Sequence, residues 1–255
     1  MEVTVLQIAV ILVSGLAAGF INTLAGGGSF ISLAALQLVG LDLSMANGTN
    51  RVSVEVGAIM SSLGFRSKGI SDPRMALHFV IPAAIGAIIG ARLIINVPEQ
   101  VLERVVATAI ILMLATLLFD SKRWVRKQQV ELTPKRRFWI YVVFLAIGVY
   151  GGAIQAGVGF LLTTAIVMLA GQDLVRAAYF KAAIVAVYTL FAVAIFAWNG
   201  QVNWVLWLVV SAGSGLGSWL ASHLAVRKGE KFVRGVLITA LVVLSVRYLG
   251  IIPGF

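Results

Sequence analysis

Apolar runs of about 20 residues, divided by short polar breaks, decide what this chain can fold into, because a run of that length spans the hydrocarbon core of a bilayer as a helix. Such runs lie at about 3–24, 46–66, 74–96 and 101–119, and again at about 138–154, 174–198, 203–226 and 231–251. Two shorter runs, about 29–40 and 159–171, each follow a glycine-rich break. At roughly 12 residues they suit re-entrant or broken half-helices better than ordinary spans. Of 255 residues, 60% are hydrophobic and only 12% charged, against about 25% charged in a soluble domain. With a mean hydropathy of +0.99, the chain has too little polar material to cover a globule of its size. The expected fold is an all-α polytopic membrane protein with roughly eight spanning helices and two Gly-broken segments.

The net charge of +10 is gathered in short clusters between apolar runs, a pattern of cytoplasmic loops rather than of a nucleic-acid face. There is no cysteine, which excludes disulfides, thiolate metal sites and cysteine catalysis. No His-Glu-x-x-His, Walker loop or catalytic triad appears, so neither an enzyme nor a cofactor is expected. The opening "MEVTVLQIAV" carries an acid where a secretion signal carries basic residues, and reads as a retained helix.

A shift of about 131 residues superimposes the two halves without a gap. Ala25, Gly26 and Gly28 fall on Ala156, Gly157 and Gly159; Gly40 and Asp42 fall on Gly171 and Asp173; Gly69, Gly86 and Glu99 fall on Gly200, Gly217 and Glu230. The divisions are a first transmembrane repeat, 1–119, a basic cytoplasmic linker, 120–137, and a second repeat, 138–255. Charge sets orientation, because basic loops stay inside. The linker "DSKRWVRKQQVELTPKRR" is inside, and so is the loop with Arg66, Lys68 and Arg74. The counterpart of that loop, "WNGQVN" at 198–203, is uncharged and is placed outside, while "RKGEKFVR" at 227–234 is placed inside. Equivalent loops on opposite faces define inverted repeats. Each half then crosses an odd number of times, with both termini outside and the protein in the cell (inner) membrane.

Irregular backbone at membrane depth is tolerated only inside protein or beside a water-filled cavity. "AGGGS", with Gly26, Gly27, Gly28 and Ser29, and "QAGVG", with Gln155, Gly157 and Gly159, are therefore packing points or cavity linings. The half-helices that start there would aim N–H groups into the gap, where an anion is favoured. In the next segments Thr49, Asn50 and Arg51 lie opposite Lys181 in the repeat register. Ionisable groups within a membrane segment point to a functional pathway, and these supply donors for an oxyanion. The structural alternatives are an Arg51–Glu55 pair one turn apart and a Lys181 that snorkels to the interface. Asp42 and Asp173 are expected as helix N-caps. Gly15/Gly19, Gly86/Gly90 and Gly213/Gly217 are expected to serve helix packing. Arg92 and His223 are expected as interfacial anchors, and no special role is assigned to His78.

These residues resemble the TauE/SafE sulfite-exporter family. "GFINTLAGGGSFISLAALQLVGLDLSMANGTN" is similar to that family's glycine-triplet stretch followed by an apolar run and Gly-Thr-Asn, and "GGAIQAGVGFLLTTAIVMLAGQDLVRAAYFKA" looks like its degenerate second copy. The resemblance implies outward transport of small sulfur-containing anions such as sulfite, sulfoacetate and related sulfonates. It places Gly26, Gly27, Gly28, Thr49 and Asn50 in the family motif. Many relatives carry an acid before the glycines where this chain has Asn22, which removes a carboxylate from that position. The expected function is a transporter working by alternating access around a midplane anion site. An anion channel and a non-transporting membrane subunit are the alternatives. Expected partners are a small anionic substrate and the lipid bilayer, with a homodimer left open and nucleic acid not expected.

Overall fold

A computed structural model describes residues 4–94, 133–155 and 157–248. These form eight helices and no strand among the described residues: α1 (Val5–Leu24), α2 (Ser29–Leu38), α3 (Leu43–Ser67), α4 (Pro73–Ile94), α5 (Pro134–Ala153), α6 (Val158–Ala170), α7 (Leu174–Trp198) and α8 (Trp204–Tyr248). The expected run at 101–119 and most of the basic linker lie outside the described residues. Helix α5 starts inside the stretch assigned to the linker, because Thr133 accepts the Arg136 N–H and Pro134 fits the first turn. The run expected at 203–226 and the described part of that expected at 231–251 belong to α8, which breaks at Gly229 with φ 74° and ψ −167°; 249–251 lie outside the described residues.

Among the described residues, four stretches are long and apolar enough to cross a membrane: α1, α4, α7 and Trp204–Ala240 of α8. Helices α2 and α6 are apolar but short. Helix α3, long enough at 25 residues, is too polar to qualify. Its Asn47, Asn50, Arg51 and Glu55 are buried. A spanning helix whose polar residues face protein has no need of a lipid-like composition. The lipid-like surface lies outside, where α4 exposes Leu77, Ile81, Ile85, Ile89 and Leu93 at every fourth position. An apolar stripe of that length on an outer face belongs against acyl chains.

Local signals set the helix ends. Asp42 accepts the Met45 N–H at 2.9 Å and Asp173 accepts the Arg176 N–H at 2.8 Å, so both aspartates are the N-caps expected of them. Leu43 and Leu174, 131 positions apart, start helices of equal length.

Helix α1 packs along α8, and α4 along α5. A Cβ on Gly15 or Gly19 would strike the α8 backbone at Val210 or Ser214, and one on Gly86 or Gly90 would strike that of α5. These are the packing glycines the sequence indicates. Helix α3 occupies the middle, between α7 and α8. It runs in the same direction as the first part of α8: the Asn203 N–H donates to Thr49 Oγ1 at 2.9 Å near the start of both helices, and Gly64, near the end of α3, faces Ser222, ahead of the Gly229 break. Helices α4 and α7 run side by side in the same way, from the Asp72 N–H bond to Tyr179 Oη (3.3 Å) to the cluster of Ala91, Ala192 and Phe196.

Candidate functional site

The first break separates α1 from α2. Gly26 there has φ 99°, a conformation that glycine adopts at little cost. Asn22 spans the gap: its Oδ1 accepts the Ser29 N–H at 3.2 Å, and its Nδ2 donates to Ser29 Oγ at 3.2 Å. An amide serves both contacts, whereas an ionised carboxylate could only accept. The second break separates α5 from α6, with Gln155 at φ 66° and Gly157 at φ 75°.

The two breaks meet. A Cβ built on Gly26 would fall on the backbone of Gly159, and one on Gly159 would fall on that of Gly26. Beside this contact is a cavity of ≈ 40 Å³, room for about three waters at ~10–15 Å³ each. Asn22, Thr23, Gly26 and Ser29 line it from the first break, and Gln155, Val158 and Gly159 from the second. The remaining wall is Val54, Gly57, Ala58 and Ser61 of α3, Lys181, Ala182 and Val185 of α7, and Ser214 and Ser218 of α8.

Lys181 alone of these lining residues is charged. Its side chain is 3% exposed, and among the described residues its Nζ has no hydrogen-bond partner. It does not snorkel to an interface. An ammonium held without a counter-charge at membrane depth is costly. An anion in the adjoining cavity would remove that cost. Ser61 Oγ, also without a partner among the described residues, faces the same space.

The residues singled out from the sequence divide into two groups. Gly26, Ser29, Gln155, Gly159 and Lys181 come together on the cavity wall. The others stand away from it. A Cβ on Gly28 would strike the Ala18 carbonyl of α1. The Gly27 and Gly157 carbonyls close the first turns of their half-helices by accepting from Phe30 and Phe160. Thr49 is occupied by Asn203. Asn50 Oδ1 accepts from Ser32 Oγ, while Asn50 Nδ2 has no partner among the described residues.

Arg51 turns away from both the cavity and Glu55. It is fully buried and caps the end of α5: Nη2 donates to the Ala153 carbonyl at 2.6 Å, and Nη1 to the Gly151 carbonyl at 3.1 Å and Gln155 Oε1 at 3.3 Å. Its guanidinium lies 4.3 Å from the Phe196 ring centroid. The planar fork meets the last carbonyls of a helix, where cations are favoured. Through Gln155, whose Nε2 donates to Thr189 Oγ1 at 3.4 Å, Arg51 also fixes one wall of the cavity.

Reading the sequence misses four hydroxyls of the cavity: Thr23, Ser61, Ser214 and Ser218. The serines of α8 carry a signal, a spacing of four beside Gly213 and Gly217, but the glycines alone attract notice there. His78 pairs with Tyr141 (2.9 Å) at an exposed position, and Arg92 is exposed.

Apolar helices around a polar interior with a buried cation define the class, a multi-pass membrane protein. The family model for the sulfite exporter TauE/SafE matches residues 11–248, and the chain belongs to that family of membrane transporters, which are not enzymes. Its relatives include a probable membrane transporter protein of Haemophilus influenzae, 28% identical over 93% of this chain and 92% of the relative. A probable membrane transporter protein, ORF9, of Sinorhizobium sp is 26% identical over 95% of this chain and 92% of its own length. The probable membrane transporter protein YfcA of Escherichia coli K12 is 26% identical over 97% and 91%. No solved structure matches the chain.

Proposed function

We propose that this protein carries small sulfur-containing anions, such as sulfite, sulfoacetate or related sulfonates, out across the cell (inner) membrane by alternating access around the cavity at the meeting of its two breaks. The observation that carries this is Lys181: a buried ammonium with no partner among the described residues, on the wall of a cavity whose other lining is five hydroxyls, two amides, glycine backbone and five aliphatic side chains. Hydroxyl and ammonium groups together suit a small oxyanion. The cavity is walled by a single chain, so this reading requires no homodimer.

The scaffold for such motion is a pair of inverted repeats. Three features support it. Helices α3 and α7 start at equivalent positions, as do α4 and α8. The packing is exchanged between halves, α1 with α8 and α5 with α4. The equivalent loops 68–72 and 199–203 stand at opposite ends of α3, whose 25 residues span ~37 Å. With the basic loops at Arg66–Arg74 and Arg227–Arg234 inside, the uncharged loop 199–203 lies outside. Rocking of one repeat against the other then alternates access to the shared site.

The test is counterflow in proteoliposomes that contain the purified protein, with sulfite, sulfoacetate, sulfate and simple carboxylates offered in turn. Saturable exchange of a sulfur oxyanion is the expected result. Absence of exchange for every anion, or channel-sized currents in planar bilayers, would overturn the reading.

A further inference from the structure

The seam between α3 and α8 and the seam between α4 and α7 occupy equivalent places in the two halves, yet their chemistry differs. Along α8, Ser211, Ser214, Ser218 and Ser222 are all buried. The offset that carries Leu43 onto Leu174 pairs them with Val80, Ala83, Ala87 and Ala91 of α4, also buried. On α3, Ser53, Gly57 and Ser61 correspond to Ile184, Tyr188 and Ala192 of α7. One seam is hydroxyl and glycine; the other is alanine with aromatic rings, including Phe79 and Phe180 at 5.3 Å between centroids.

Close helix packing accounts for the serines only in part: Ser218 Oγ donates to the Gly19 carbonyl of α1 at 3.1 Å and Ser222 Oγ to the Trp219 carbonyl of its own helix at 2.8 Å. Alanine allows the same approach: Ala83 and Ala87 meet Gly148 and Gly152 of α5, and Ala91 clusters with Ala192 and Phe196 of α7. A serine brings in addition a hydroxyl whose burial without a partner costs ~1–3 kcal/mol. Ser61 Oγ and Ser211 Oγ have no partner among the described residues. A Cβ on Gly57 would lie 2.7 Å from Ser214 Oγ and 2.8 Å from Ser218 Oγ, and one on Gly64 would strike Ser222 Oγ. Glycine therefore stands on α3 opposite Ser214, Ser218 and Ser222. The cavity opens onto this seam through Gly57, Ser61, Ser214 and Ser218. Beyond it, Ser222 and Gly64 continue towards the end that bears Arg66, Lys68 and Arg227.

We propose that the α3–α8 seam, and not its α4–α7 counterpart, is the water-accessible route between the cavity and the basic face of the protein, with Ser61, Ser218 and Ser222 as its lining hydroxyls. The proposal rests on the transport reading above for its purpose. In the packed state the serines close against glycine. When the two helices part, the serines offer water and a passing oxyanion donors that alanine lacks. The alanines of the α4–α7 seam offer none, and the Tyr188 hydroxyl lies against Gly151 of α5 instead, so that seam stays dry.

The chain has no cysteine, so single thiols report without background. Ser61→Cys and Ser222→Cys are compared with their counterparts Ala192→Cys and Ala91→Cys in oriented membrane vesicles. A membrane-impermeant cationic methanethiosulfonate is added to each side in turn. Modification of the serine-seam thiols from the basic face, at least ~10-fold faster than at the alanine-seam positions, is expected. Equal rates in both seams, or modification from the opposite face only, would overturn the proposal. If a variant fails to fold, Ser218→Cys against Ala87→Cys reads the same two seams. Labelling needs no substrate: a wet seam in a protein that exchanges no sulfur oxyanion would overturn the transport reading alone, and a dry seam in an active transporter would overturn this proposal alone.

Discussion

Gly26 and Gly159, from opposite halves of the chain, sit backbone against backbone, each filling the space a Cβ on the other would need. The glycines thus act on each other first and shape the cavity as a result. Gly26→Ala has to push the Gly159 backbone aside and also hold a side chain at φ 99°. Overpacking alone costs ~1–3 kcal/mol. A lower melting temperature and loss of monodisperse protein on size exclusion are expected. Gly235→Ala, with nothing within 4 Å of the added methyl, should be neutral or stabilising by up to ~1 kcal/mol.

Arg51 is predicted to hold the structure together rather than touch the anion. Arg51→Lys replaces a fork that reaches two carbonyls and Gln155 with a single ammonium. A loss of ~2 kcal/mol is expected, the scale of hydrogen bonds to a charged group. Thermal melting should fall, while the KM for anion exchange of the protein that survives stays within about twofold of wild type. A large rise in KM without loss of stability would place Arg51 in the binding site instead.

The helices and breaks are legible in the sequence because they depend on local signals. Asp42 and Asp173 precede their helices at capping positions, and the glycine breaks interrupt apolar runs too short to span. The polarity of α3 is also visible, but its partners are not. Helical periodicity offers Glu55 to Arg51 one turn away, whereas the fold presents the carbonyls of Gly151 and Ala153, a hundred residues distant. Nothing near Arg51 in sequence encodes that contact. The serine seam escapes notice for another reason. Superimposing the halves on the glycines and acids they share passes over Ser214, Ser218 and Ser222, which matter because Ala83, Ala87 and Ala91 differ from them.

Membrane potential gives a further prediction. An uncoupled carrier of a monoanion gains ~2.3 kcal/mol per 100 mV from an inside-negative potential, roughly a 50-fold gradient. Proteoliposomes given a potassium diffusion potential through valinomycin should drive a sulfonate towards the positive side by about that ratio. No response to potential would show electroneutral transport, by a coupled cation or by exchange for another anion.

Lys181 Nζ, without a hydrogen-bond partner among the described residues, takes the transported anion as its counter-charge in the proposed mechanism. Lys181→Met keeps most of the length of the side chain and removes the charge. Flux of sulfite or sulfoacetate through reconstituted Lys181→Met protein, measured beside its melting temperature, is the direct test. Flux should fall at least ~100-fold with a melting temperature equal to or above wild type, because a buried charge is removed. Flux within about twofold of wild type in a stable protein would contradict that mechanism.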